Sequence, residues 1–210
     1  MVIQIARSPL MKEFWDARYD TDEFVYGTEP NRFLADELVK LQPGRILLPG
    51  EGEGRNALFA ASIGWSVDAM DQSRTAAKKA LQLANDKNLN INYMVSAIET
   101  FTFKKELYDV VAPVFVHLAP TLRNLFHARI VDALRPGGKI ILEAFHKSQL
   151  GRSSGGPQSE AMLYDRKMLL EDFSSLEVVQ MQELVTELNE GIFHRGRAHV
   201  LRYIGMKPAK

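Results

Sequence analysis

The chain has 210 residues, 46% of them hydrophobic, enough for one domain with a substantial core. Its 26 basic and 26 acidic residues cancel, so it lacks the basic excess that neutralises nucleic-acid phosphates. The absence of cysteine excludes disulfides, thiolate catalysis and cysteine-based zinc or iron–sulfur sites. No uninterrupted apolar run approaches the roughly 20 residues of a membrane span. Met1 to Leu10 lacks the layout of a signal peptide, so the expected location is cytoplasmic.

In chain order, Met1 to Ser8 reads as a loosely held lead-in. Pro9 can open a helix that continues to Tyr19, with Phe14 and Trp15 on its pattern. Phe24 to Asn31 follows as an ordered loop. Pro30 marks the first turn of a second helix carrying Phe33, Leu34, Leu38 and Leu41 at helical spacing, and Pro43-Gly44 stops it. Residues 1–43 precede the sheet and could fold over its ligand edge as a helical lid. The alternative is that Phe14, Trp15 and Phe33 simply pack into the core.

Arg45 to Leu48 is a short buried strand. It runs into Gly50-Glu51-Gly52-Glu53-Gly54, with a helix from near Arg55 to Ile63 ended by Gly64. A strand, a glycine turn and a helix N-terminus make a nucleotide-type site in a doubly wound sheet. The spacing is GxGxG, not the GxGxxG of dinucleotide folds. Glu51 and Glu53 would repel a diphosphate, whereas phosphate sites recruit backbone N–H groups and positive charge. That disfavours a nucleotide-dependent oxidoreductase. An acidic loop suits a ligand with cationic groups and no phosphate, and S-adenosylmethionine, with a sulfonium and an ammonium, fits. The plain alternative is a tight turn with no ligand.

Trp65 to Asp71 is the second strand. Asp71, roughly twenty residues beyond the glycine loop, can accept hydrogen bonds from both ribose hydroxyls. It could also cap the next helix, a task Ser73 can perform alone. Helix Thr75 to Asn85 leads to a third strand, Ile91 to Val95. Ala97, Ile98 and Glu99 lie at its carboxyl end, near an adenine, with Glu99 either an N6 partner or solvent-facing. Tyr108 to His117 is the central fourth strand, nearly uninterrupted in apolar residues as a strand buried on both faces should be. Pro113 lacks a ladder donor, so the strand proper should end there. Helix Pro120 to Leu134, a turn at Pro136-Gly137-Gly138 and a fifth strand, Lys139 to His146, follow. Lys147 to Ser159 contains Ser153-Ser154-Gly155-Gly156-Pro157, either a connector or a substrate lid. Helix Asp165 to Phe173 precedes Leu176 to Leu188 and Phe193 to Gly205, a hairpin turning at Asn189 to Gly191. The expected fold is α/β: a doubly wound, seven-stranded, mostly parallel sheet with a C-terminal antiparallel hairpin, one domain over residues 1–210.

Several segments together resemble class I S-adenosylmethionine-dependent methyltransferases, which have a Rossmann-like fold. They are similar, more narrowly, to the group related to tellurite-resistance and thiopurine methyltransferases. The matching segments are Phe14-Trp-Asp-Ala-Arg-Tyr19, Tyr26-Gly-Thr-Glu-Pro-Asn31, Gly50 to Asn56, Val67 to Asp71, His117-Leu118, Leu134 to Lys139, Leu142 to Phe145 and Gly155-Gly-Pro157. The resemblance covers nearly the whole chain. It implies that Gly50, Glu51 and Gly52 hold the methionine part of S-adenosylmethionine, Asp71 the ribose, and the Ala97–Ile98 backbone the adenine. Trp15, Gly54, Gln72 and Glu99 complete the expected cofactor set. The chain departs from the pattern at Leu48 and Ala97, where such enzymes often carry acidic residues.

A sulfonium methyl is already electrophilic, so transfer needs an aligned nucleophile and a water-poor site more than strong acid–base groups. A base helps an oxygen or nitrogen acceptor, and a soft thiolate can do without one. Candidates near the ends of strands four and five are His117, Glu143 and His146. Each could instead be structural. His194 and Arg195 on the hairpin could recognise an anionic acceptor or merely sit on an exposed strand. His127 and His199 are expected to be structural, and the five histidines show no metal-ligand spacing. The expected activity is methyl transfer from S-adenosylmethionine to a sulfur, oxygen or metalloid atom of a small molecule. The alternative is a catalytically silent binding module. No nucleic acid or membrane partner is expected, and a homodimer is left open.

Overall fold

The structure is a computed structural model that describes residues 9–209; the expected lead-in, Met1 to Ser8, lies outside them. The sheet grows outward from β1 (Arg45–Pro49), whose Ile46, Leu47 and Leu48 are fully buried. β2 (Ser66–Asp71) and then β3 (Asn92–Val95) lie parallel on one side of it. β4 (Tyr108–Val111) and then β5 (Leu134–Phe145) lie parallel on the other. β6 (Glu177–Asn189) and β7 (Arg195–Met206) form the antiparallel pair, giving the order β3-β2-β1-β4-β5-β7-β6. The strand order reverses between β1 and β4. In such sheets the crevice beyond the strand carboxyl ends at that reversal is where ligands bind.

Alternate residues of β1 serve two cores. Leu47 joins Val111, Phe126, Ile130, Leu142 and Tyr203 on one face. Ile46 and Leu48 join Phe33, Leu34, Ala57, Trp65 and Ile204 on the other. Among the described residues, six helices cover the faces: α1 (Pro9–Tyr19), α2 (Arg32–Leu38), α3 (Arg55–Ser62), α4 (Arg74–Asp86), α5 (Pro120–Ala133) and α6 (Arg166–Asp172). Three are capped by side chains that accept a backbone N–H at the third helical residue. Asn31 takes it from Leu34 at 3.0 Å, Ser73 from Ala76 at 3.1 Å and Asp165 from Met168 at 2.7 Å. Each such cap contributes about 1 kcal/mol.

Local order differs from the sequence reading at four places. Pro30 is not in a helix; Asn31, after it, is the cap, and α2 stops at Leu38, short of Leu41. β4 ends at Val111, earlier than expected: Val114 makes only an isolated bridge to Glu143, and Phe115 turns the chain with φ of +53°. β5 starts at Leu134 rather than after a separate turn. Residues 135–138 bulge between the Tyr108–Leu134 and Val110–Lys139 pairs, and Lys207 bonds the backbone of Gly137 and Gly138. Finally, the stretch from Lys147 to Ser159 begins with a 3₁₀ turn and is held down. Gln149 donates to Ser154 Oγ at 2.8 Å, and Ser154 Oγ donates to the Arg197 carbonyl at 2.7 Å.

Candidate functional site

A cavity of about 500 Å³ opens at the carboxyl ends of β1, β2, β3 and β4, inside the range of about 300–1,000 Å³ typical of small-molecule sites. Each strand supplies its next residues to the wall: Gly50 and Glu51, then Asp71 and Gln72, then Ser96, Ile98 and Glu99, then Val114 to Leu118. Trp15 and Tyr19 of α1, Leu122 and Leu125 of α5, Met162 and His194 close the rest.

The three loop glycines sit at φ of +66°, +62° and +89°, a region closed to most side chains. They do different things. A Cβ on Gly50, the glycine in the cavity wall, would stand 2.9 Å from Val116 Cγ2. Gly52 and Gly54 face the protein: a Cβ there would lie 2.7 Å from Tyr19 Oη and 2.7 Å from Ala80 Cβ. The two glutamates also part company. Glu53 is paired with Lys79 and accepts the Val25 N–H at 2.7 Å, so it fastens the 20–31 loop. It was expected to add to an acidic face; Lys79 cancels its charge. Glu51 has no ion-pair partner of its own among the described residues; Arg55, engaged by Glu190, acts on it only at longer range. Its carboxylate accepts the Ala57 N–H at 2.7 Å and the Asn56 side-chain amide at 3.3 Å. Burial lifts its pKa from 4.5 to about 7, against the bonds from Ala57 and Asn56 that favour the ionised form.

Asp71 is also buried, and burial pushes its carboxyl up. One oxygen accepts the Ser73 N–H at 2.8 Å and the other the Gly52 N–H at 3.0 Å, so Asp71 fixes the glycine turn while lining the cavity. The capping of α4 falls to Ser73, whose hydroxyl also donates to Asp16 of α1 at 2.6 Å. That bond seats α1 beside the site. Trp15 stacks on Tyr19 with centroids 5.7 Å apart, while Phe14 is half exposed.

Of the expected cofactor residues, the structure gathers Trp15, Gly50, Glu51, Asp71, Gln72, Ile98 and Glu99 on one cavity wall. Gly52, Gly54 and Ala97 stand behind it. The Ala97 carbonyl is occupied by the N–H groups of Thr100 and Phe101, and the Ile98 and Glu99 carbonyls by Arg129. Leu48 is plain core.

The expected catalytic set is not brought together. His117 lines the cavity, but both ring nitrogens are engaged by backbone. Nδ1 pairs with the Met162 carbonyl at 2.8 Å, and Nε2 accepts the Phe145 N–H at 3.2 Å. Burial drives its pKa down to about 4, so it is neutral with no lone pair to spare. Glu143 lies away from the cavity, accepting from Asn31 at 2.7 Å and from Arg202; it joins α2, β5 and β7. His146 also lies outside the wall, its Nδ1 accepting the Ser148 N–H at 3.1 Å. Both were expected near the reacting centre, and both are used by neighbouring backbone or charge. His127 is structural as expected, bonded to Asp172 at 2.7 Å.

His194, read from the sequence as either an acceptor-recognising residue or an exposed strand residue, is not exposed: it is buried in the turn before β7 and lines the cavity. Its Nδ1 stands 3.5 Å from Glu190, within ion-pair reach but without hydrogen-bond alignment. Glu190 is held by Arg55 at 2.9 Å and Asn31 at 3.1 Å. Only its spacing from Glu190, four residues across a glycine turn, hints at this in the sequence.

Residues 46–138 match a family model described as a methyltransferase domain. Probable thiol methyltransferase 2 of Arabidopsis thaliana is 26% identical over 166 residues, 77% of this chain and 72% of that protein. Among solved structures, a protein from the conversion of a disulfide bond into a thioacetal group during echinomycin biosynthesis superposes with a TM-score of 0.76 at 18% identity, covering 94% of this chain and 92% of the other. TehB from Haemophilus influenzae superposes with a TM-score of 0.71 at 18% identity, covering 93% of this chain and 66% of the other. Sheet order, antiparallel C-terminal pair and the matched segment define a methyltransferase domain. The matched segment is a methyltransferase domain, and the chain has the fold of solved S-adenosylmethionine-dependent methyltransferases.

Proposed function

We propose that the cavity holds S-adenosylmethionine along the β1–β3 wall and that the methyl group goes to a small-molecule acceptor entering beside Phe115, His117 and Met162. The observation that carries this is Glu51: a buried carboxylate with no ion-pair partner among the described residues, felt only at longer range by Arg55, next to the one loop glycine that faces the cavity. An ammonium supplied by a ligand would complete it. The fit extends along the wall. Asp71 keeps acceptor capacity for ribose hydroxyls beyond the backbone N–H groups that already reach it. Ile98 and Glu99 border the position of an adenine, and with Ile98 and Glu99 carbonyls already taken by Arg129, ring stacking on Ile98 rather than a backbone bond would hold it.

The donor supplies an electrophilic methyl on a sulfonium. The chain's part is to orient and to exclude water. Trp15 and Tyr19 cover the donor side, while Leu122, Leu125 and Met162 present an apolar wall to the acceptor. That wall favours an uncharged or soft acceptor, sulfur or oxygen on an apolar body, and the Arabidopsis relative is itself named a thiol methyltransferase. The test is transfer of labelled methyl from S-adenosylmethionine to thiophenol, phenol and tellurite. Transfer to at least one is expected. Intact donor binding with no transfer to any would overturn the catalytic half of the reading.

A further inference from the structure

We propose that His194 is the base of this site, and that the acceptor it serves is a phenol: an aromatic body bearing a hydroxyl that is still protonated at neutral pH. This rests on the methyl-transfer reading above and specifies its acceptor.

The geometry is unusual for a turn residue. His194 is 7% exposed and lines the cavity. Its ring is held edge-on by Phe115 and Tyr26, each with centroids 4.6 Å away, and by Phe145 at 5.2 Å. Glycine at 155 makes room for it, since a Cβ there would lie 2.8 Å from His194 Cδ2. Phe115, the ring on its cavity side, holds a left-handed φ of +53°, a strained conformation for a bulky residue that recurs at functional sites. The buried Nδ1 has no hydrogen-bond partner. It stands 3.5 Å from the Glu190 carboxylate, which Arg55 and Asn31 fix in place. A proton on Nδ1 faces that carboxylate, which leaves the lone pair on Nε2. Among the described residues no hydrogen bond engages Nε2. A histidine oriented by a carboxylate, with its second nitrogen free, is the arrangement of a general base. His117, the other imidazole on the wall, has neither nitrogen free.

Burial holds His194 below the ordinary imidazole range. Glu190 on its own hairpin opposes that, while Arg55 of α3 and Arg18 of α1 add to it; Tyr26 and His117 face it as well. It is therefore neutral at pH 7 and able to accept a proton. In the step proposed, the hydroxyl proton passes to Nε2 as the oxygen lone pair bonds to the methyl carbon. The methyl–sulfur bond breaks and its electron pair stays on sulfur, leaving S-adenosylhomocysteine. The imidazolium then loses its proton to solvent. A phenol needs this help because its pKa lies near 10, whereas a thiol near 8.5 supplies part of its own anion. The aromatic rings around His194 suit an aromatic body.

The test uses the full chain saturated with S-adenosylhomocysteine, titrated with phenol while the imidazole nitrogen signals are followed by NMR. The His194 Nε2 signal is expected to move toward a hydrogen-bonded position while both His117 nitrogens stay put. In turnover, His194→Gln is expected to lose about 100-fold or more on phenol but little on thiophenol, which is largely ionised at pH 8. An unmoved Nε2 signal with S-adenosylhomocysteine bound overturns the base and leaves the donor reading standing. Equal losses on both acceptors also overturn it. Failure to bind S-adenosylhomocysteine overturns both readings. The NMR result on the wild-type chain decides the matter even where the variant fails to fold or neither acceptor turns over.

Discussion

Replacing Glu51 with Gln isolates the charge on which the donor site depends. In the free protein the buried carboxyl titrates near 7 instead of 4.5. At about 1.4 kcal/mol per pH unit, that difference favours the protonated form by about 3 kcal/mol. The sign is fixed by proton count. Between the two pKa values the folded chain binds more protons than the unfolded one. The stabilisation is therefore complete below pH 4.5 and is lost as pH rises through about 7. Glutamine keeps an oxygen for the Ala57 N–H and cannot ionise. Urea unfolding from pH 4.5 to 8.5 should show the wild-type chain losing about 3 kcal/mol more than Glu51→Gln over that range. Asp71 and Glu143 are raised by burial too, but they remain in both proteins and drop out of the difference. Binding should invert the order. A cationic ligand draws Glu51 into its ionised form, so S-adenosylmethionine binding at pH 6.5 should release a proton from the wild-type chain and none from the variant. Calorimetry in two buffers of different ionisation heat reads this directly. Parallel stability curves, together with no proton release, would refute the assignment of Glu51 to a cationic ligand.

Two further substitutions probe what holds the site shut. A Cβ on Gly191, at φ of +78°, would lie 2.3 Å from the Val25 carbonyl oxygen and 2.6 Å from Tyr26 Cα. The obstacle is backbone, so Gly191→Ala should cost at least the about 1–3 kcal/mol of a left-handed non-glycine residue and free the 20–31 loop to proteases; an unchanged digestion rate would argue against that docking. Lys79→Met strands Glu53 as a buried charge, expected to cost about 3–5 kcal/mol in urea unfolding. Adding Glu53→Gln should recover most of it, and a single-variant loss below about 1 kcal/mol would show the pair to be unimportant.

How much of this was legible depends on the range of the interactions. β1 could be read because a two-faced core demands an unbroken apolar run, and Ile46-Leu47-Leu48 is one. The cap at Ser73 was visible because it acts within three residues. Asn31 was obscured by Pro30, which looks like a helix start but only precedes it. β5 began earlier than expected because Lys207, some 70 residues on, completes the backbone bonding of Gly137 and Gly138. Asp71 and Gly50, picked out by local spacing, both line the cavity. The split between Glu51 and Glu53 was not visible, since it turns on Lys79 and on a loop 28 residues upstream. The same limit hid the engaged nitrogens of His117 and the inward placement of His194. One is decided by Met162 and Phe145, the other by Arg55, Asn31 and Gly155.

The most direct measurement is calorimetric titration of S-adenosylhomocysteine into the wild-type chain and into Asp71→Ala, with NADH as the control ligand. Losing two hydrogen bonds to a carboxylate, at about 1.5–3 kcal/mol each, should weaken binding by about 100-fold or more. Saturable heat from S-adenosylhomocysteine, none from NADH, and that loss in the variant are the expected results. Binding that ignores Asp71, or a preference for the diphosphate, would contradict a donor site built on the turn after β1.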